Sequence, residues 1–193
     1  MILVFGGWAL GPAPFLRLSG GQDVLFVDDY RQLDDPLTEL RAFDHITLVA
    51  FSFGVAAAAH WMSMTGTRPA RSVAISGTLF PADPERGIAP DIIRATAEGL
   101  SAASFAKFCL RAGLGSPAPD LDIESARTEL LSVLDRGPAP ETAFDRIWIP
   151  QKDRIIPTAA QELAWTRQRE AVCHIPGPHV PFRVGQSWAE WIE

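Results

Sequence analysis

Residues 48–60, LVAFSFGVAAAAH, carry the strongest signal for how this chain folds. An apolar run ends at Ser52, and Phe-Gly-Val and four alanines follow at the start of a helical pattern. A strand, a sharp turn at a serine and a helix form a nucleophile elbow, which presents the serine hydroxyl above the sheet. The usual elbow reads Gly-x-Ser-x-Gly, whereas here Ala50 stands at the first glycine position and Gly54 at the second. This stretch alone leaves open whether Ser52 is a nucleophile or a small residue in a tight turn.

The rest of the chain predicts the layers around this elbow. Short apolar runs with little alternation are typical of parallel strands covered on both faces, and they occur at 2–5, 23–28, 45–51, 71–76, 146–150 and 170–175. Helical stretches separate them, which predicts an α/β fold with a compact, mostly parallel sheet flanked by helices.

The regular alternation breaks between about residues 78 and 145. Helical patterns over 91–115 and 123–135 are separated and flanked by proline-rich segments. We interpret this region, about 80–144, as a helical lid insertion within a single domain of residues 1–193.

Composition narrows the class of protein. The 193 residues carry a net charge of -6, so the excess of basic residues that nucleic-acid binding requires is missing. No apolar run approaches the roughly 20 residues that cross a bilayer. The two cysteines, Cys109 and Cys173, have neither metal-ligand spacing nor the pattern of a disulfide framework. The sequence therefore predicts a cytoplasmic protein that binds neither nucleic acid nor membrane.

A serine nucleophile needs a base and an acid, and the chain offers both in a suitable order. A serine hydroxyl is a weak nucleophile until a histidine accepts its proton. Of the four histidines, His179 alone lies on a Gly/Pro-rich loop after the last predicted strand, where open α/β sheets place their active sites. Asp153 follows the strand at 146–150 and completes the order Ser, Asp, His. Its alternative role is to cap the helix that begins near Thr158.

Two backbone N–H groups are required to stabilise the oxyanion of an ester transition state. One belongs to the residue after the nucleophile, Phe53. The other is expected from the loop after the first strand, where Gly6 and Gly7 permit a tight turn before Trp8. Trp8 and Phe53 are therefore the predicted oxyanion donors, although a glycine turn with a packed tryptophan explains the same loop.

With these pieces named, the chain resembles the α/β-hydrolase superfamily and, within it, the BioG type of pimeloyl-[acyl-carrier protein] methyl ester esterase. In that type, alanine already stands at the first position of the elbow. Phe51 and Ala9 depart from the tryptophan and glycine common at their positions. The resemblance covers nearly the whole chain and rests on FGGWALG (5–11), FVDDY (26–30), LVAFSFGV (48–55), the insertion at 87–113, KDRIIPTAAQELAW (152–165) and GPHVPF (177–182).

The resemblance implies an esterase that hydrolyses the methyl ester of pimeloyl-acyl carrier protein in biotin biosynthesis. It implies a Ser-His-Asp mechanism without metal or cofactor, and an acidic acyl carrier protein as partner. From Arg86 to Arg111 the insertion has four basic residues against two acidic ones, which is either a solvated helix face or a docking surface for that carrier. The expected carrier and substrate contacts are Arg94, Lys107, Arg111, Phe105 and Phe108.

Two rival functions are compatible with the same residues. A general short-chain carboxylesterase or thioesterase would have the same triad and would act on free esters or thioesters. A non-catalytic binding protein of the same fold would carry Ser52 by accident, and a fluorophosphonate probe would then fail to label it.

Overall fold

The computed structural model describes residues 1–115 and 117–193. Over these residues, parallel strands form one sheet in the order β2-β1-β3-β4-β5-β6. The strands are β1 (Ile2–Phe5), β2 (Val24–Val27), β3 (Thr47–Phe51), β4 (Arg71–Ile75), β5 (Arg146–Pro150) and β6 (Val172–Ile175). Each lies within two residues of its predicted bounds, so the strand predictions are confirmed.

The centre of the sheet consists of β1, β3 and β4. Ala50 pairs with Phe5 on one side and with Ala74 on the other, and all three side chains are fully buried. After β1 the chain leaves for β2 on one side of the sheet, whereas β3 continues to β4 on the other side. Such a reversal of strand order opens a crevice at the carboxyl ends of the two strands, which is where ligands bind in open α/β sheets.

Helices cover the two faces of the sheet. They are α1 (Gly54–Thr65), α2 (Pro90–Glu98), α3 (Ala102–Ala112), α4 (Ile123–Arg136), α5 (Thr158–Ala164) and α6 (Trp188–Ile192). Short 3-10 helices span Ala13–Phe15, Thr38–Ala42 and Thr166–Ala171. The alanines of α1 are buried, and their small side chains let the helix lie close to the sheet.

The segment between β4 and β5 carries α2, α3 and α4. The prediction of one continuous helix over 91–115 is wrong, because α2 ends at Glu98 and α3 begins at Ala102. Ser101 and Ser104 cause the break, since each side chain accepts a hydrogen bond from the other residue's backbone N–H group. The helix predicted over 123–135 is confirmed as α4.

Membrane-spanning helices and metal-ligand groups are absent from the part of the chain that the structure describes. There, no helix is both long and apolar enough to cross a bilayer, and no three His, Cys, Asp or Glu side chains form a group that could hold a metal ion. Both cysteines are free thiols, and burial raises the pKa of Cys109 to about 11. That thiol therefore stays protonated, and unreactive, at neutral pH. That the protein works without metal or cofactor stays a prediction.

Candidate active site

Ser52 occupies the turn between β3 and α1. Its φ is 59°, in the left-handed region that residues with a side chain rarely adopt. The surrounding structure holds this strained turn through two hydrogen bonds: Ser52 N–H donates to the Ile75 carbonyl at 2.9 Å, and Val55 N–H donates to the Ser52 carbonyl at 3.1 Å. The hydroxyl is thereby presented at the carboxyl end of the sheet, as an elbow requires.

Gly54 allows the first turn of α1 to touch the end of β1. A Cβ atom on Gly54 would lie 2.3 Å from the carbonyl oxygens of both Phe5 and Gly6. This contact is between backbones, so no side chain can move aside to relieve it. The glycine therefore brings the loop after β1 next to Ser52.

Ser52, His179 and Asp153 form a continuous hydrogen-bonded chain. His179 Nε2 lies 2.9 Å from Ser52 Oγ, and His179 Nδ1 lies 2.7 Å from Asp153 Oδ2. The side chains of His179 and Asp153 are fully buried, and Ser52 is nearly so. The order nucleophile, base, orienting acid is the geometry of general-base activation of a serine.

The Asp153 carboxylate has a donor for each of its acceptor positions. Oδ1 accepts from the backbone N–H groups of Ile155 at 2.8 Å and Ile156 at 3.0 Å. Oδ2 accepts from His179 and, at 2.9 Å, from the Gln161 side-chain amide. An ionised carboxylate offers about four such positions, and filling them stabilises the charge in a buried site.

Asp153 does not cap the next helix. The N-cap residue of α5 is Pro157, and it has no side-chain capping bond. The Asp153 carboxylate instead accepts hydrogen bonds from the backbone of Ile155 and Ile156 and from the side chains of His179 and Gln161.

The loop that carries His179 is fastened to α3. Val180 N–H donates to the Ala112 carbonyl at 2.8 Å. Gly113, which follows α3, has a φ of 90°, and a Cβ atom there would lie 2.3 Å from Pro178. The end of α3 thus sets the position of the histidine.

Trp8 and Phe53 offer backbone donors beside Ser52. Within the described residues, neither backbone N–H group has a hydrogen-bond acceptor in the protein. Both residues line the cavity that contains Ser52. The Trp8 indole N–H is engaged elsewhere, because it donates to the Ala126 carbonyl at 2.8 Å. Two free amides at this place are what stabilisation of an oxyanion demands.

Replacing Gly54 with alanine is expected to displace the loop after β1 and with it the Trp8 amide. We expect a loss of stability of about 1–3 kcal/mol or more from overpacking. We also expect a fall of about a hundredfold in kcat, because a shift near 1 Å misplaces a catalytic donor. Thermal unfolding and ester hydrolysis measure the two effects. Gly21→Ala is the control, since a Cβ atom there meets nothing within 4 Å. Unchanged activity in the Gly54 variant would contradict this account of the loop.

A cavity of about 340 Å³ opens on Ser52. It adjoins a second cavity of about 520 Å³, and both are lined by Trp8, Phe108 and Arg111. Most of the other lining side chains are apolar, among them Ile88, Ile92, Ile93, Leu130, Ile155 and Pro157. The cavity therefore has a polar end at Ser52 and is otherwise largely apolar.

The predicted contact residues are distributed unevenly over these cavities. Phe108 and Arg111 line the cavity at Ser52, and Phe105 and Lys107 line the second one. Phe105 is also buried and packs edge-on against the Trp8 ring. Arg94 is not among the described residues that line either cavity.

The structure adds two residues to the site for which the sequence predicts no role. Arg154 follows Asp153 and lines the cavity at Ser52. Gln161 is fully buried and donates to Asp153 Oδ2. The position of Gln161 on α5, eight residues after Asp153, is the one sequence signal for this contact. That spacing does not indicate that the residue must be an amide.

A family model described as "Pimeloyl-ACP methyl esterase BioG" matches residues 1–133, more than half of the chain. The chain belongs to the BioG family. The match includes the elbow and most of the insertion, whereas Asp153 and His179 lie beyond it.

Two relatives match the chain over nearly its whole length. The crystal structure of BioG from Haemophilus influenzae superposes with a TM-score of 0.87 at 27% identity and covers 100% of this chain and 94% of that one. A malonyl-[acyl-carrier protein] O-methyltransferase of Bacteroides fragilis is 32% identical in an alignment of 195 positions that covers 95% of this chain. The chain spans 40% of the length of that curated relative.

A more distant structure shows the fold alone. Bromoperoxidase from Bacillus anthracis superposes with a TM-score of 0.66 at 16% identity, covering 93% of this chain and 84% of that one. Together with the parallel sheet and the BioG crystal structure, this likeness confirms the predicted α/β-hydrolase fold.

Proposed function

We propose that this BioG-family protein is a serine carboxylesterase that hydrolyses the methyl ester of pimeloyl-acyl carrier protein to pimeloyl-acyl carrier protein and methanol, a step in biotin biosynthesis. One observation carries the proposal: in a member of this family, the hydrogen-bonded chain from Asp153 through His179 to Ser52 ends at the wall of a largely apolar cavity. The cytoplasmic location inferred from the sequence stays a prediction.

The acylation half follows from the geometry. Ser52 Oγ attacks the ester carbonyl while His179 Nε2 accepts its proton, and the Asp153 carboxylate stabilises the imidazolium that forms. The N–H groups of Trp8 and Phe53 hold the oxyanion of the tetrahedral intermediate. When that intermediate collapses, the bond to the methoxy oxygen breaks, and His179 gives its proton to the departing methanol. The acyl chain is then joined to Ser52 as an ester.

In the second half of the reaction, water replaces Ser52 as the nucleophile. His179 takes a proton from the water that attacks the acyl-serine carbonyl, and the same two amides hold the second oxyanion. Collapse breaks the bond to Ser52 Oγ, which recovers its proton from His179. The product leaves as a carboxylic acid and ionises at neutral pH.

The shape of the cavities supports a substrate with a long apolar chain. The walls between Ser52 and the second cavity carry Ile92 and Phe108, which suit methylene groups. Lys107 and Arg111 stand along the second cavity. We propose that these bases, with Arg94 on α2, face the acidic carrier from which the acyl chain extends.

Reversing two of these charges is expected to impair the carrier-bound substrate selectively. In Lys107→Glu/Arg111→Glu, we expect kcat/KM for the carrier-bound ester to fall about tenfold or more through a higher KM, because like charges face each other at the contact. The loss should shrink as salt is added. The control, Arg41→Glu/Arg169→Glu, makes the same change in charge at two exposed bases outside the insertion. Equal kcat/KM in both variants would contradict the docking proposal.

Covalent labelling tests the enzymatic proposal itself. A fluorophosphonate should modify folded protein at Ser52, since the probe needs an activated serine. Labelling should vanish in Ser52→Ala. If the folded protein were not labelled, the non-catalytic alternative would stand instead.

A further inference from the structure

Tyr30 reaches the oxyanion loop, here the residues 6–8 that follow β1. It lies shortly after β2 and is fully buried, and its phenolic O–H donates to the carbonyl of Gly6. The N–H of Gly6 donates to the Val27 carbonyl at 3.0 Å. Gly6 is therefore held at both its donor and its acceptor, two residues before Trp8.

The helix α4 in turn holds Tyr30. The Tyr30 N–H donates to Glu129 Oε1 at 3.1 Å, and the Arg136 guanidinium donates to the Tyr30 carbonyl. The same helix accepts the Trp8 indole N–H at the Ala126 carbonyl. Every polar backbone and side-chain group of Tyr30 is thus used to join α4 to the oxyanion loop.

We propose that Tyr30 and Glu129 are positioning residues for the oxyanion loop: through them, α4 fixes the peptide at Gly6 and thereby the Trp8 N–H that receives the oxyanion. This inference rests on the proposed function, because it assumes that the Trp8 amide stabilises an oxyanion. It makes the last helix of the insertion part of the catalytic geometry. Neither residue touches the substrate.

The charge state of Glu129 suits this role. Burial raises the pKa of Glu129 to about 8, and the nearby carboxylates of Asp28 and Asp29 add to the rise. The hydrogen bond from the Tyr30 backbone N–H and the positive charge of Arg31 lower the pKa of Glu129. At pH 7 the carboxyl group is accordingly mostly protonated, and its oxygen accepts from Tyr30 with little uncompensated charge in the interior. A glutamine reproduces both properties.

The test compares variants that remove a hydrogen bond between α4, Tyr30 and the oxyanion loop with one variant that keeps all of them. In Tyr30→Phe and in Glu129→Leu, we expect kcat for p-nitrophenyl butyrate to fall about tenfold to a hundredfold with KM nearly unchanged, because a misplaced amide weakens transition-state binding alone. Glu129→Gln should keep near wild-type kcat. Inhibition by a trifluoromethyl ketone, whose adduct with Ser52 carries an oxyanion, should weaken by the same factor as kcat.

The control and the outcomes separate this inference from the proposed function. Thr128→Val removes a hydroxyl that bonds only within α4, to the Glu124 carbonyl, and should leave kcat unchanged. Wild-type kcat and ketone affinity in folded Tyr30→Phe would overturn the inference alone. A wild-type protein that cleaves p-nitrophenyl butyrate but not the carrier-bound ester would overturn the substrate proposal and leave this comparison valid. Inactivity of the wild-type protein towards both esters would overturn both.

Discussion

Replacing Ser52 with alanine is expected to lower kcat for the carrier-bound methyl ester by about 10⁴- to 10⁶-fold, the size of effect seen when a triad serine is lost. The reason is the loss of the hydroxyl oxygen that lies 2.9 Å from His179 Nε2 and hydrogen-bonds to it. Without it, hydrolysis falls to what the oxyanion donors and substrate binding can achieve with water alone. Methanol release, followed with excess enzyme, measures the residual rate.

Ser76 supplies a matched control for that variant. It directly follows β4, whose last residue, Ile75, accepts a hydrogen bond from Ser52 N–H; its φ is 53°, and its side chain is fully buried. In the described part of the chain its hydroxyl has no hydrogen-bond partner. Ser76→Ala therefore makes the same chemical change in the same kind of strained turn, and we expect it to keep wild-type activity. Similar activities in the Ser52 and Ser76 variants would be incompatible with Ser52 as nucleophile.

The second large effect is expected in Asp153→Asn, where kcat should fall by about 10⁴-fold. The four groups around the carboxylate, in Ile155, Ile156, His179 and Gln161, all donate hydrogen bonds. Asparagine brings an NH₂ group into this ring of donors. If that group faces His179 Nδ1, the proton moves to Nε2, and the histidine can no longer accept the proton of Ser52. If it faces the backbone amides, at least one buried donor is left unpaired, at a cost of about 1–3 kcal/mol.

Activity and stability must be measured together in this variant. Asp145→Asn is the control, because Asp145 also accepts from a backbone N–H, that of Ser72, but lies before β5 at the opposite end of the sheet from Ser52. We expect it to lose stability without a comparable loss of kcat. A retained kcat above about a tenth of wild type in Asp153→Asn would contradict the role of Asp153, since the wrong tautomer alone costs far more.

The elements of the elbow could be predicted because their signals are local. The apolar run 48–51, the small residues at Ala50 and Gly54 and the helical pattern after them each restrict the backbone near Ser52. The loops that carry Asp153 and His179 could be predicted for a related reason. All parallel strands end at the same edge of the sheet, so residues just beyond strand ends are brought together by topology.

Contacts made between distant elements could not be predicted in the same way. Tyr30 and Glu129 are 99 residues apart, and only the packing of α4 against the loop after β2 brings them together. Gln161 on α5 meets Asp153 because the turn over residues 154–157 folds the chain back onto the carboxylate. The break between α2 and α3 was missed although its signal is local, because the apolar spacing continues through the capping pair of Ser101 and Ser104.

The carrier-bound pimeloyl methyl ester contains both a methyl ester and a thioester, so the mass of the carrier protein after incubation shows which bond was cleaved. We predict that wild-type protein converts it to pimeloyl-carrier protein with one methanol released per carrier, and that Ser52→Ala leaves it intact. A carrier stripped of its acyl chain, or a carrier-bound ester hydrolysed no faster than a free short-chain ester, would contradict the proposed function.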